Sequence, residues 1–149
     1  MKKNNKINGS FTVNAQYIKD FSFENPKAYI NLASTEKPEI DVSIDLGAHS
    51  IQEDIFEVVL GISVKSSIKE DTQFIIDLKY AGRFTLEKNT EDKERILLVE
   101  CPNMLFPYAR NIISDTTRNG GYLPLYISPI DFYTLYLENK NKNQKEKLN

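Results

Sequence analysis

The side chains with the widest chemical reach in this 149-residue sequence are a single histidine, His49, and a single cysteine, Cys101. A zinc centre draws three or four ligands from Cys, His and carboxylates at set spacings, and these two residues cannot supply such a set. One thiol also excludes a disulfide within the chain. Cys101 precedes Pro102 with no histidine close in sequence, so its expected role is a packed thiol rather than a nucleophile. His49 lies in Gly47-Ala-His-Ser50, which reads as a polar turn. The carboxylate pairs Glu53-Asp54 and Glu91-Asp92 fall in charged segments where solvation accounts for them. The six glycines are scattered apart from Gly120-Gly121 and build no phosphate-cradling loop. The sequence therefore predicts no catalysis, no metal and no cofactor.

Charge and hydropathy narrow the remaining classes. The net charge is −2, but residues 1–8 carry three Lys and 139–149 carry four Lys with one Glu. The body, 9–138, is left with 12 basic and 20 acidic residues. An acidic body repels phosphate backbones, so no nucleic-acid partner is expected. The two ends read as disordered basic tails (1–9 and 139–149) around a single domain over 10–138. No apolar run reaches the roughly 18 residues of a membrane span, and no apolar stretch of signal-peptide type follows Met1–Asn8. The expectation is a soluble cytoplasmic protein.

Period-two alternation sets the elements that any site must stand on. Phe11, Val13, Ala15 and Tyr17 alternate with polar residues, as do Ile40, Val42 and Ile44. In a third run Phe56, Val58, Leu60, Ile62 and Val64 share one face. A fourth puts Phe74, Ile76, Leu78, Tyr80, Phe84 and Leu86 in phase. The last two runs are close enough for an antiparallel hairpin. Lys88–Arg95 reads as a charged loop or frayed turn, and Ile96–Val99 is too short to classify. A helix is expected from about Leu105 to Arg118, with Leu105, Tyr108, Ala109, Ile112 and Ile113 as its apolar stripe and Gly120-Gly121 as its stop. A second helix is expected from Ser128-Pro-Ile-Asp131 through Leu137. Between the helices runs Tyr122-Leu-Pro-Leu-Tyr-Ile127, which must be buried or line something. The fold class is α+β, a four-stranded antiparallel sheet with two helices on one face. Two helices of 12–15 residues cannot cover strands that span roughly 40 Å, so part of the apolar face is left for a partner or a groove.

Specific residues carry a family resemblance. Cys101-Pro-Asn-Met-Leu-Phe-Pro-Tyr-Ala-Arg110 resembles the signature of SecB, the bacterial protein-export chaperone family. Lys19-Asp-Phe-Ser-Phe-Glu24, Asp54-Ile-Phe-Glu-Val-Val-Leu60 and Leu123-Pro-Leu-Tyr-Ile-Ser-Pro-Ile-Asp-Phe132 are similar to further family segments in consistent order. The resemblance implies a homotetramer built as a dimer of dimers, with Ile76, Leu78 and Tyr80 helping to hold the assembly. It implies an ATP-independent chaperone that binds unfolded precursor proteins and passes them to the SecA motor ATPase. Carried over residue by residue, the SecA-binding positions are Asp20, Glu24, Ile75 and Asp77, where Ile75 and Asp77 replace the family's more usual Leu and Glu. Together with the apolar loop, the resemblance makes Ile40, Val42, Ile44, Tyr122, Leu123, Leu125, Tyr126, Tyr133 and Tyr136 candidates for a client groove. Family tails are commonly acidic or neutral, and this one is basic. The competing function is a SecB-like general holdase or toxin–antitoxin-associated chaperone without the SecA step.

Overall fold

A computed structural model of the chain describes residues 11–31 and 36–148, with the side chains of 31 and 143–148 outside the description. The expected N-terminal tail, 1–9, lies outside the described residues. The elements are β1 (Phe11–Glu24), a short α1 (Ala28–Asn31), β2 (Glu39–Gln52), β3 (Ile55–Ile68), β4 (Asp71–Leu86), α2 (Lys93–Arg95), a π-helical turn (Ile96–Glu100), α3 (Cys101–Asn119) and α4 (Phe132–Leu148). The sheet order is β1-β4-β3-β2 and each described pairing is antiparallel.

The β3–β4 hairpin follows the alternation seen in sequence. Val58, Leu60, Ile62, Val64, Ile76, Leu78 and Phe84 are buried on one face, and Lys65, Asp77 and Lys79 are exposed on the other. Helix α3 closes the apolar face through Cys101, Leu105, Ala109 and Ile113, a four-residue repeat that aligns them along one side. The stripe is rotated from the expected one. Phe106 is buried against Phe132 at 6.2 Å between ring centres, whereas Tyr108 is exposed and stacks on Tyr80. α3 also begins earlier than expected, because α2 and Ile96–Glu100 feed straight into it. The π turn immediately precedes Pro102, whose nitrogen cannot donate to the preceding helical turn, so the widened turn sits where a regular ladder is already broken.

β2 reaches Gln52, so Gly47–Ser50 is strand rather than turn. His49 pairs with Glu57 there, and the turn falls at Glu53-Asp54, with Asp54 at φ 61°. α4 starts at Phe132, not at Ser128. Asp131 caps it, accepting Thr134 N–H at 3.0 Å and Thr134 Oγ1–H at 2.8 Å. The helix then continues through 139–148, the stretch read as a tail. Neither Gly nor Pro interrupts it, and its Lys, Gln and Glu residues favour helix.

In β1 the alternation misleads. The strand carries two bulges against β4, at Asn14 and Lys19, each leaving one residue unpaired. The first flips the phase, so Ala15 and Tyr17 lie on the face opposite Phe11 and Val13. Thr85 Oγ1 donates to Asn14 Oδ1 at 2.9 Å and anchors that bulge.

Gly82 of β4 lies under α3 with no room to spare. A Cβ placed there would fall 2.6 Å from Phe84 Cε2 and 3.0 Å from Leu105 Cδ2. Gly82→Ala is expected to cost about 1–3 kcal/mol through overpacking, read as a lower denaturation midpoint with near-native far-UV dichroism.

Candidate functional site

The helices cover β3 and β4, and the Ile96–Glu100 turn reaches β2 without covering all of it. Ile40 and Val42 on β2 are each about 40% exposed, at 41% and 40%, although both face the apolar side; Ile44 and Leu46 are half-buried. Over the end of this strip the loop after α3 folds back and closes a cavity of about 410 Å³. Its walls bring together Ile40, Tyr122, Leu123 and Leu125 with the buried Phe74.

The loop is held from several sides. Tyr122 packs on Phe74 at 4.9 Å and its hydroxyl donates to Asn25 Oδ1 at 2.7 Å. Asn25 Nδ2 donates to the Gly120 carbonyl, and Leu125 N–H donates to the fully buried Thr117 hydroxyl. Leu123 is left 90% exposed at the rim. The inner wall is polar, since buried Ser66 donates to Gln73 Oε1 at 2.7 Å. On the outer side Glu36 pairs with Lys69 at 3.1 Å. A mostly apolar cleft with a few fixed polar groups suits an extended polypeptide segment.

Of the expected groove residues, Val42 and Ile44 continue the strip along β2 outside the cavity. Tyr126 and Tyr133 are exposed elsewhere on the helix side and do not line it. Tyr136 is buried in the core and has almost no surface for a client. Phe74, Pro38, Ser66 and Gln73 were missed. The in-phase position of Phe74 near the β3–β4 turn was the available signal. Ile76 and Leu78, expected at an oligomer interface, are 0% and 1% exposed beneath the protein's own helix. They can support an assembly only through the core they form. Tyr80 is nearly as buried, with its hydroxyl donating to Gln16 Oε1 at 3.2 Å. The apolar side chains exposed nearby are Ile18, Phe21 and Tyr108.

The opposite sheet face is polar. Asp20, Glu24, Ile75 and Asp77 come together there on adjacent strands: Asp20 opposite Lys79, Ser22 opposite Asp77 and Glu24 opposite Ile75. Ser63 donates to Asp77 Oδ1 at 2.6 Å from the far side. Gly61 in the middle of β3 leaves a depression of about 380 Å³ beside Asp20, Asp45 and Asp77. Further along this face Glu57 is 8% exposed. It accepts the Tyr17 hydroxyl and the Lys19 ammonium, with His49 Nε2 at 3.6 Å. The hydrogen bonds from Lys19 and Tyr17 hold the Glu57 carboxyl below its ordinary value, and burial with the neighbouring carboxylate pushes Tyr17 up to about 12. Cys101 is fully buried and likewise pushed up to about 12, chiefly by desolvation, so it stays a packed thiol at neutral pH. Among the described residues no group of His, Cys, Asp and Glu could hold a metal ion, and no helix is long and apolar enough to cross a membrane.

The family model of the preprotein translocase subunit SecB matches residues 3–143. The chain is 44% identical over 137 residues to the protein-export protein SecB of Bartonella quintana, covering 91% of this chain and 87% of that one. It is 46% identical over 127 residues to the SecB of Rhodospirillum centenum, covering 83% and 76%. The fold is similar to a SecB-like chaperone of Mycobacterium tuberculosis, solved with a ChAD peptide from the HigA1 antitoxin. That match has a TM-score of 0.66 at 13% identity and covers 81% of this chain and 91% of that one.

The Glu57 cluster has a measurable acid signature. A carboxyl whose folded value is lowered contributes stability that is fully present above its unfolded value, here near 4.5, and lost as pH falls through the folded value. Denaturant melts across pH 3–6 are expected to show wild type losing stability below that point more steeply than Glu57→Gln. Parallel curves would contradict the assignment.

Proposed function

The chain belongs to the SecB family of protein-export chaperones, and on that premise we propose that it binds unfolded precursor proteins in its apolar groove, keeps them translocation-competent and delivers them to the SecA motor ATPase without using nucleotide. The observation that carries the reading is the open apolar cavity where the β2 strip meets the loop of Tyr122, Leu123 and Leu125. Clients of varied sequence must be held and then released. Many modest apolar contacts, each worth about 25 cal/mol per Å² buried, suit that task better than one deep and exacting pocket.

The working form is a cytoplasmic homotetramer, a dimer of dimers. Ile18, Phe21 and Tyr108, exposed beside the covered face, are the side chains a neighbouring subunit would bury. SecA docks on the opposite face, where Asp20, Glu24 and Asp77 surround Ile75 and complement a basic, partly apolar peptide. A holdase without the SecA step would keep the groove and lack this docking. The export reading is preferred because the relatives at 44–46% identity are protein-export proteins.

The test mixes the purified protein with an unfolded precursor and runs light scattering on a sizing column. A species of four chains plus one client is expected, absent with the native client, whereas a tetramer that ignores the client would sink the reading. Leu123→Asp, at an exposed rim position, is expected to weaken client binding roughly tenfold or more without loss of fold. A SecA C-terminal peptide is expected to bind wild type and to be lost on Asp20→Lys or Asp77→Lys. Retained binding in both variants would leave the holdase reading. Removal of Asn141–Asn149 is expected to leave the tetramer intact by light scattering.

A further inference from the structure

Gly61 stands in the middle of β3 at a position where nothing in the fold calls for glycine. Its φ is not positive, and a Cβ placed there would meet only Asp45, 3.4 Å from its Cβ and 3.5 Å from its carbonyl oxygen. That is ordinary contact, unlike the 2.6 Å crowding at Gly82. A glycine inside a strand gives up packing and conformational restraint. Where neither backbone nor crowding requires it, the close approach of a ligand or a second chain accounts for it.

The missing side chain opens the depression of about 380 Å³ on the polar face. Gly61 lies opposite Asp45 on β2 and Lys79 on β4, and Lys79 lies opposite Asp20 on β1. The four form one row across the sheet. With strands about 4.8 Å apart, Asp45 and Lys79 flank a gap of roughly 10 Å floored only by backbone. The adjacent row contributes Asp77, which accepts from Ser63 at 2.6 Å through one carboxylate oxygen and keeps the other for an incoming group. Among the described residues the Asp45 carboxylate has no hydrogen bond or ion pair. Three carboxylates against the Lys79 ammonium leave the depression at a net charge of −2. Lys79 also lines the neighbouring depression, together with Lys19 and His49. A cation arriving at this face is therefore drawn to the carboxylate side of Gly61 and repelled from the other, which fixes where it seats.

We propose that the Gly61 depression is the specificity pocket of the docking face. It receives one lysine or arginine side chain of the basic docking peptide, with the head group held by Asp45 and Asp77 and the apolar stem lying over the bare Gly61 backbone. The inference rests on the docking reading given above and extends it to β2 through Asp45, which that reading does not use.

The test measures binding of the SecA C-terminal peptide by calorimetry at about 0.15 M salt, where screening acts over about 8 Å. Gly61→Gln fills the depression without adding charge. It is expected to weaken binding about tenfold while the denaturation midpoint holds or rises. A lower midpoint beside the loss would give Gly61 a structural role and overturn the proposal. Asp45→Asn, isosteric and at an exposed position, is expected to weaken binding by a similar factor, and it serves if Gly61→Gln does not fold. Asp41→Asn removes the same charge from the same strand and face roughly 13 Å away, and is expected to change binding by less than about twofold. Equal losses from the two would mean a diffuse acidic surface and overturn the pocket. On the ligand side, each Lys or Arg of the peptide is replaced in turn by methionine. One replacement is expected to cost about tenfold against wild type and nothing further against Asp45→Asn, as a direct contact requires. If no position is coupled in this way, the pocket is overturned. Full binding by Gly61→Gln beside loss in Asp20→Lys overturns the pocket and leaves the docking reading standing, whereas no binding by wild type brings down both.

Discussion

Burial of one face of the β3–β4 hairpin beneath α3 is the contact on which the rest of the molecule depends. Leu60, Ile62, Ile76, Leu78 and Phe84 meet Leu105, Ala109 and Ile113, all at most 1% exposed. Because a strand alternates strictly, removing that face from water commits the other face of both strands to solvent. The polar surface that carries Asp77 and Lys79 is thus a consequence of the core. Gly82 belongs to the same constraint, since it lets α3 come down onto β4.

Coverage by essentially one long helix is partial, and the uncovered remainder is where recognition becomes possible. β2 pairs with β3 along its whole length and inherits an apolar side, yet no helix packs fully over Ile40 and Val42. The loop after α3 closes only one end of that strip, tied down by Asn25, Thr117 and Phe74. The result is a cleft whose floor is fixed by the core and whose rim, at Leu123, is free to meet another chain. The cleft and the acidic surface around Asp77 lie on opposite sides of one sheet.

Much of this was legible from residue order. The long alternating runs of β3 and β4, the turn between them and the α+β class follow from period alone, because central strands buried on one side leave a strong pattern. The edge strands were harder. β1 alternates convincingly up to Tyr17, but unpaired residues at Asn14 and Lys19 break the phase, and a bulge leaves no hydropathy mark. β2 runs seven residues beyond Asp45 through Gly-Ala-His-Ser, which no propensity favours, because pairing with β3 supplies the backbone hydrogen bonds. The start of α3 was hidden by Pro102 and by a π turn whose sequence looks like any short apolar run.

The candidate site divides in the same way. Sequence by itself determined the hydropathy of each strand, the stop at Gly120-Gly121 and the apolar loop beyond it. Local pattern is fixed by which side chains must leave water. Only the tertiary structure decided that Phe74 and Ser66 join the loop residues, that Tyr136 belongs to the core, that Ile76 and Leu78 have no surface left for a neighbour, and that Asp20 shares a face with Asp77. Those outcomes depend on register and on which strand each helix reaches. Both are set by contacts between residues distant in the chain, and no local window of sequence contains them.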